Sequence, residues 1–354
     1  MLDGRRVIDF SSNDYLGLAG DPRIARVAAD ALIDGSTGAA AARLLSGTQA
    51  AHVDLEREIA RFKAAQAALL FPSGYAANIG TIQALVGRRD VIYADRLNHA
   101  SLIDGARLSR AEVRVFPHMD LDALRTMLES DAGSFRRRLI VVDGVFSMDG
   151  DIFPLADLVA IAREFGAWTY VDDAHATGVL GANGRGSAEH CGVEGEIDVI
   201  MGTLGKAVGT IGAFVCGSSV LIEYLMNRAR AFIFTTASPP AFAAATLEGL
   251  RIVSSEPERR VKLRRNARYL RTRLREIGHS PAGEDDSYIV PIMLGESERS
   301  THVGNALREA GYLVGAVRPP TVPMGQSRLR ITVSAAHEAS HIDGLVNAIG
   351  TVLN

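Results

Sequence analysis

The chain has 354 residues, 47% of them apolar and 22% charged, and a formal net charge of −3. This length allows two or three lobes around a substantial core, and the charge argues against a protein that holds nucleic acid on a basic face. No apolar run reaches the roughly 18 residues that cross a bilayer, so no membrane contact is expected. The two cysteines are too few for a disulfide framework and favour the cytoplasm. Of the 38 basic side chains only three are lysines: Lys63, Lys206 and Lys262.

Strand-like and helix-like segments alternate through the middle of the chain. A helical pattern at 155–165, ended by Gly166, lies among short apolar runs typical of buried strands. Those runs are residues 139–142, 168–171, 197–201 and 212–216. Short connections between alternating strands and helices predict an α/β fold with a mostly parallel sheet covered by helices.

The pattern changes after Pro239-Pro240. A basic helical segment at 259–275 is followed by strand-like residues 288–293 and 328–333, and a final helix is expected after Ser334. We interpret the charges of the basic segment as a solvated face. The resulting division has an N-terminal segment that packs with the small domain, a large domain and a smaller α+β domain, at residues 1–36, 37–240 and 241–354.

Three of the predicted strands end in reactive side chains. One is followed by Asp143, the next by the run from Asp172 to His175, and the third by a loop that contains Lys206. The carboxyl ends of parallel strands meet at one edge of a sheet, where ligands bind in open α/β folds. An acid, a histidine and a lysine are therefore expected to converge there.

Lys206 differs from the other two lysines in its surroundings. It lies in a loop of small residues, 202–209, whereas Lys63 and Lys262 lie in charged helical patterns and are expected to be solvated. Desolvation lowers the pKa of an amine, which imine chemistry requires. The local sequence is also compatible with a structural lysine or with one that contacts phosphate.

A second motif indicates different chemistry. His337, Glu338 and His341 match the pattern of zinc proteases, with two histidines one helical turn apart. A catalytic zinc needs a third ligand, and no upstream cluster suggests one. We interpret the match as chance at the start of a surface helix, and no metal site is predicted.

Seven segments, taken together and in order, resemble the α-oxoamine synthases. These are pyridoxal-phosphate (PLP) enzymes of the aspartate-aminotransferase fold, or PLP fold type I, which join an amino acid to an acyl thioester with loss of carbon dioxide. The resemblance implies a large domain with a mostly parallel sheet and a smaller α+β C-terminal domain. The segments are 10–18, 72–78, 95–101, 144–150, 171–178, 203–206 and 318–323.

The resemblance also implies a role for individual residues. Lys206 would hold the cofactor as a Schiff base, Asp172 would pair with its ring nitrogen, His99 would stack on the ring and His175 would reach its phenolic oxygen. The other implied cofactor contacts are Gly74, Tyr75 and Thr203 at the phosphate, Ser147 at the border, and Thr235 and Thr236 supplied by a partner subunit. The implied substrate contacts are Asn13 and Arg330 at a carboxylate and Thr321 at the acyl site.

The matched segments are most similar to the branch of the family that serves biotin synthesis. Its substrates are L-alanine and a pimeloyl thioester, of coenzyme A or of acyl carrier protein, and the shared phosphate contacts imply a homodimer. A branch that uses glycine and acetyl-CoA is the nearest alternative. A non-catalytic partner subunit is a remote one, because such a subunit would be expected to lack the lysine.

Overall fold

The computed structural model describes residue 4 and residues 6–353. By its contacts the chain divides into two compact units. Unit 1 contains the residues up to Gly17, Ser147–Asp151 and the residues from Glu256 onward, and unit 2 contains Leu18–Phe146 and Ile152–Ser255. Within the described residues, no helix is long and apolar enough to cross a membrane.

The described strands are short, and the helices range from single turns to five turns. The strands are β1 Ile8–Asp9, β2 Ala67–Phe71, β3 Val91–Asp95, β4 Glu112–Phe116, β5 Arg138–Asp143, β6 Trp168–Asp172, β7 Val199–Thr203, β8 Ala213–Gly217, β9 Ile289–Gly295, β10 Tyr312–Leu313, β11 Gly315–Val317 and β12 Ser327–Thr332. The helices are α1 Pro22–Asp34, α2 Ala50–Phe62, α3 Gly74–Leu85, α4 Ala100–Ser109, α5 Leu121–Ser130, α6 Leu155–Phe165, α7 Ser187–His190, α8 Ser219–Arg228, α9 Arg230–Ile233, α10 Pro240–Ser255, α11 Glu258–Glu276, α12 Ser297–Glu309 and α13 Ala339–Leu353.

Unit 2 is built on a seven-stranded sheet. The strand order is β2-β8-β7-β6-β5-β3-β4, and β8 alone runs antiparallel to its two neighbours. The other pairings in this sheet are parallel, as the alternating pattern predicts. Its central strands are buried on both faces, which explains their continuous apolar runs.

One predicted strand begins two residues later than expected. The apolar run at 197–201 predicts a strand from Ile197, but β7 begins at Val199. Asp198 is exposed, and its Oδ2 accepts hydrogen bonds from the main-chain N and the hydroxyl of Thr169, at 2.8 and 3.0 Å. These side-chain contacts occupy the place of a ladder bond, so the strand starts after them.

Unit 1 is an α+β arrangement. A three-stranded antiparallel sheet has the order β11-β12-β9, β1 pairs in parallel with β10, and α11 packs on α13. The interpretation of α11 as a helix with only solvated charges is wrong for Arg260 and Arg271, which are buried. The Arg271 guanidinium donates to the main-chain carbonyls of Ala282 and Ile289, and these bonds make its burial possible.

The contacts also bear on the domain division. Helices α1 and α10 pack on each other and both belong to unit 2. The boundaries between the two contact units near the ends of the chain therefore lie close to residues 17 and 255, rather than at 36 and 240. As folding domains, the segments 1–36, 37–240 and 241–354 stay a proposal.

Candidate active site

The carboxyl edge of the unit 2 sheet brings together the lysine and histidine expected there. A tight turn follows β6, in which the main-chain N of Thr177 donates to the carbonyl of Asp173, and this turn carries His175. The loop after β7 carries Lys206. Lys206 Nζ lies 2.9 Å from His175 Nε2, so an amine and an imidazole share one hydrogen bond at the edge of the sheet.

Asp172, the last residue of β6, lies buried beside this pair. Its carboxylate accepts hydrogen bonds from Asn78 Nδ2 at 2.7 Å and from the main-chain N of Ala174 at 3.0 Å. Burial raises the pKa of Asp172, whereas the nearby Lys206 and the two hydrogen bonds lower it. A cationic group placed next to this carboxylate would stabilise its ionised form further.

His99 caps the start of α4 at the same edge. Its main-chain N donates to Asp143 Oδ2 at 2.7 Å, and its Nδ1 lies 2.7 Å from Ser101 Oγ. Burial, with a smaller effect of Lys206, lowers the pKa of His99, while Asp172 opposes the shift. The ring is therefore neutral at neutral pH and suited to stacking on a flat ligand.

Asp143 and Asp172 occupy paired positions on β5 and β6. Burial and the neighbouring Asp172 raise the pKa of Asp143 well above its usual range. Asp143 was noticed from the sequence as a strand-end acid, but its contact with His99 was not. The sequence patterns predicted no role for Asn78 or Ser101, although an asparagine in a mostly apolar helix such as α3 is a usable signal.

The start of α3 lies close to Thr203. A Cβ at Gly74 would lie 2.8 Å from Thr203 Cγ2, so this approach requires glycine. The first N–H groups of a helix have no acceptor within the helix and form a site for an anion. The Tyr75 hydroxyl donates to Asp104 Oδ2 at 2.6 Å, and Thr203 Oγ1 lies 3.3 Å from the carbonyl of Ala174.

Unit 1 holds the predicted carboxylate contacts as one hydrogen-bonded group. The buried Arg330 donates to the Ser147 carbonyl at 2.5 Å, to Thr332 Oγ1 at 2.8 Å and to Asn13 Oδ1 at 3.0 Å. The Tyr15 hydroxyl donates to the same Asn13 oxygen at 3.2 Å, and burial raises the pKa of Tyr15 to about 12.

The neighbouring Arg328 has a different partner. Its Nη1 donates to Asp149 Oδ1, so this arginine is neutralised within the protein. Arg330 has neutral acceptors in these three bonds, which leaves its positive charge available to a carboxylate. This difference favours Arg330 over Arg328 as the arginine that binds a substrate carboxylate.

The remaining predicted contacts lie nearer the surface. Thr235 is half-buried, and Thr236 and Thr321 are exposed. Thr236 forms an isolated antiparallel bridge with Ala42. Their predicted roles, at the phosphate of a partner subunit and at the acyl substrate, stay predictions.

The expectation that Lys63 is solvated is wrong. Lys63 is the C-cap residue that follows α2, and it is buried, with its Nζ 2.6 Å from Asp173 Oδ2. Lys262 is half-buried, and its Nζ lies 2.6 Å from Glu338 Oε1. The helical pattern at Lys63 was identified correctly, but its partner is distant in sequence and invisible to a local pattern.

The two histidines of the zinc-protease motif do not share a helix. His337 precedes α13, which begins at Ala339. His337 Nδ1 accepts from the main-chain N of Ser334 at 3.1 Å, and its Nε2 lies 3.0 Å from the Asp9 carbonyl. Both ring nitrogens thus contact main-chain groups, an arrangement that favours interpreting the motif as a chance match.

Comparisons with known proteins agree on one family. A family model described as "Aminotransferase class I and II" matches residues 5–349. A protein from Alkalilimnicola ehrlichii named 8-amino-7-oxononanoate synthase is 51% identical over 352 residues, 99% of this chain and 89% of the relative. A structure of serine palmitoyltransferase from S. paucimobilis with bound PLP and myriocin has a TM-score of 0.96 at 34% identity, covering 99% of this chain and 88% of that one. A structure of 8-amino-7-oxononanoate synthase from Francisella tularensis has a TM-score of 0.85 at 29% identity, covering 98% of each chain.

Proposed function

Since this chain belongs to the aminotransferase class I and II family, we propose that it is a PLP-dependent acyltransferase. The reaction is the condensation of L-alanine with a pimeloyl thioester, of coenzyme A or acyl carrier protein, to give 8-amino-7-oxononanoate and carbon dioxide. The contact of Lys206 Nζ with His175 Nε2 beside the buried Asp172 is the observation that carries the proposal. The name of the Alkalilimnicola relative supports the choice of substrates.

The residues at the sheet edge fit this cofactor. The Lys206 amine can form a Schiff base with the aldehyde of PLP, and the buried Asp172 carboxylate can pair with a protonated ring nitrogen. The start of α3 lies close to Thr203, an approach that requires glycine at position 74. The main-chain N–H groups of Gly74 and Tyr75, at this helix start, suit the phosphate of PLP. When bound, PLP supplies an electron-accepting ring that stabilises negative charge at the α-carbon of the amino acid.

Each protein group then has a defined task. Lys206 would hold the cofactor through its side-chain amine, and the same amine would be the base that takes the proton from the α-carbon of the amino acid. Asp172 would keep the ring nitrogen of the cofactor protonated, since an adjacent carboxylate favours the cation. His99 would stack on the cofactor ring, and His175 would bond to the phenolic oxygen of the cofactor. Ser147 borders the cofactor.

The substrate groups are assigned by the same chemistry. Arg330, whose planar fork matches a carboxylate in two hydrogen bonds, binds the carboxylate of the amino acid together with Asn13. Thr321 lines the acyl-substrate site. The two cysteines, which suit a reducing compartment, support a cytoplasmic location.

We propose in addition that the active form is a homodimer. Large apolar side chains are exposed on unit 2 around Thr235 and Thr236. Phe234, next to Thr235 in sequence, is 70% exposed, and Ile211, which lines a cavity with both threonines, is 54% exposed. Leu45, three residues after the Ala42 that bridges Thr236, is 81% exposed. Exposure of large apolar side chains around the same two threonines favours an interaction surface there. In the proposed dimer, Thr235 and Thr236 of each subunit would contact the cofactor phosphate of the other subunit.

The test crosses amino acids against acyl thioesters. Alanine, glycine and serine are each paired with pimeloyl-CoA, acetyl-CoA and palmitoyl-CoA, and release of the thiol is followed. Turnover confined to alanine and pimeloyl-CoA supports the proposal, whereas preference for glycine and acetyl-CoA would overturn the substrate assignment. The serine and palmitoyl-CoA pair is included because the serine palmitoyltransferase structure has the higher TM-score of the two compared.

A pair of lysine variants tests the mechanism. Lys206→Ala should abolish the visible absorbance of bound PLP and lower kcat/KM by about 10³-fold or more. Lys262→Ala, which removes a half-exposed lysine, should leave both unchanged. If Lys206→Ala keeps both the absorbance and the turnover, the proposed role of Lys206 is wrong.

A further inference from the structure

Asn78 lies on the buried face of α3 and has no exposed surface. Its side-chain amide makes three hydrogen bonds. The Tyr170 hydroxyl donates to Asn78 Oδ1 at 2.7 Å, and Asn78 Nδ2 donates to Ser101 Oγ at 2.8 Å and to Asp172 Oδ2 at 2.7 Å. A carboxylate only accepts hydrogen bonds, so the amide NH₂ must face Asp172 and the amide oxygen must face Tyr170.

Ser101 extends this set of bonds to His99. Its hydroxyl accepts from Asn78 and lies 2.7 Å from His99 Nδ1, so the hydroxyl proton points to the imidazole. The main-chain N of Ser101 lies 3.3 Å from the same nitrogen. With Nδ1 an acceptor, the proton of the neutral ring resides on Nε2.

We propose that Asn78 is a positioning residue that holds two cofactor-binding side chains at once, the Asp172 carboxylate directly and the His99 ring through Ser101. This inference rests on the proposed function, because it concerns how those two groups meet PLP. The amide is itself oriented by Tyr170, which is fully buried on the same strand as Asp172. Because Asn78 contacts both the Asp172 carboxylate and the hydroxyl that holds the His99 ring, it fixes the orientation of these two groups relative to each other. Two separate partners would not do so.

The hydrogen bond from Asn78 also affects the charge of Asp172. Lys206 favours the ionised form of Asp172, His99 does so only when its ring is protonated, and the neighbouring carboxylate Asp143 disfavours it. Asn78 adds a donor that lowers the pKa of Asp172 against the effect of burial. Without this donor the pKa of Asp172 rises, so its pairing with a cationic ring nitrogen is lost at a higher pH.

The experiment measures PLP affinity as a function of pH, from the visible absorbance of protein-bound cofactor. Asn78→Ala should weaken the affinity at neutral pH about 10-fold or more, the loss expected for one charge-assisted hydrogen bond. The decline of affinity on acidification should begin about one pH unit higher than in the wild type. A residue with a structural role only would not move this pH profile.

Two serine variants of α4 serve as matched comparisons. Ser101→Ala breaks the connection to His99 but keeps the bond from Asn78 to Asp172, so its pH profile should match the wild type. Ser109→Ala removes a buried hydroxyl that donates to the Ala106 carbonyl, outside this set of bonds, and should leave both affinity and profile unchanged.

Two results would overturn the proposal. One is Asn78→Ala binding PLP within about twofold of the wild type with the same pH profile. The other concerns Tyr170→Phe, which is used if Asn78→Ala does not fold. This variant keeps the Asn78 amide but removes the hydrogen bond that orients it, so its pH profile should shift in the same direction by a smaller amount. A Tyr170→Phe profile identical to the wild type would then overturn the proposal. Wild-type protein that binds no PLP would contradict the proposed function instead.

Discussion

Lys63 Nζ lies 2.6 Å from Asp173 Oδ2, and both side chains are 1% exposed. The Lys63 ammonium also contacts Thr177 Oγ1 at 3.3 Å and the Arg185 carbonyl, and the other Asp173 oxygen accepts from the main-chain N of Ser187 at 3.0 Å. The buried ion pair therefore anchors both ends of the turn that carries His175. A second lysine thus supports the site without lying at it.

Replacement of Lys63 by methionine should destabilise the protein by about 3–5 kcal/mol, because it leaves the Asp173 carboxylate buried without a counter-charge. Urea unfolding of the apo-protein measures the loss. Lys262→Met is the matched control, since the pair of Lys262 with Glu338 is partly exposed and should contribute less than about 1 kcal/mol. Equal, small losses for both variants would show that the Lys63 pair does not stabilise the turn.

Arg330→Lys should raise the KM for the amino acid about 10-fold or more, at nearly constant KM for the acyl thioester. The guanidinium reaches three separate acceptors around it, and a lysine ammonium cannot reproduce that planar geometry. Steady-state kinetics with each substrate varied in turn measures the effect. An unchanged KM for the amino acid would remove Arg330 from the carboxylate site.

Arg328→Met is the companion variant for Arg330→Lys. Because Arg328 pairs with Asp149 within the protein, its loss should lower stability and leave the KM for the amino acid close to that of the wild type. A larger KM effect in Arg328→Met than in Arg330→Lys would reverse the assignment of the two arginines.

Acidification should destabilise the protein through His337. Burial lowers the pKa of His337 from 6.5 to about 4, so the folded state keeps a neutral ring while the unfolded state takes up a proton. The stability linked to His337 is present above about pH 6.5 and is lost as the pH falls toward about 4, by about 3 kcal/mol in total. Urea unfolding of the wild type and His337→Gln across this range measures it.

The difference in stability between these two proteins should be largest near neutral pH and shrink as the pH falls. His302→Gln, which replaces an exposed histidine on α12, should follow the wild-type curve throughout. A constant difference between the wild type and His337→Gln across the range would contradict the prediction.

Phe234→Asp should convert the proposed dimer into a monomer. Phe234 is 70% exposed, and a carboxylate at the centre of an apolar interface would be buried without a partner. Sedimentation equilibrium measures the mass, and PLP affinity should fall because Thr235 and Thr236 would no longer meet the other subunit's cofactor. Val220→Asp, at a residue 78% exposed on α8, is the control and should remain dimeric. A dimeric Phe234→Asp would place the interface elsewhere.

Much of unit 2 was predictable from local patterns. The apolar run at 139–142 lies within β5, the run at 168–171 lies within β6, and α6 ends where Gly166 takes a left-handed φ of 58°. Strand and helix periodicities repeat within a few residues, so a window of sequence contains the information. The sheet edge that joins Lys206 and His175 followed from the rule for parallel strands.

Contacts between residues far apart in sequence were decided only by the tertiary structure. Lys63 and Asp173 are 110 positions apart, and Asn78 and Asp172 are 94 apart. The same holds for Arg328, whose pairing with Asp149 separates it from Arg330. Local sequence shows that a lysine or an asparagine is present, but whether it is solvated or buried depends on which distant group packs against it.

The sequence by itself thus determined the strand–helix order, the reactive edge of the sheet and, through its motifs, the family resemblance. Of the three lysines, it singled out Lys206 by its loop of small residues. It could not distinguish Lys63 from Lys262, which occupy similar charged helical patterns. Only the folded chain brings Asp173 to Lys63, and a buried charge requires such a partner because water is no longer there to solvate it.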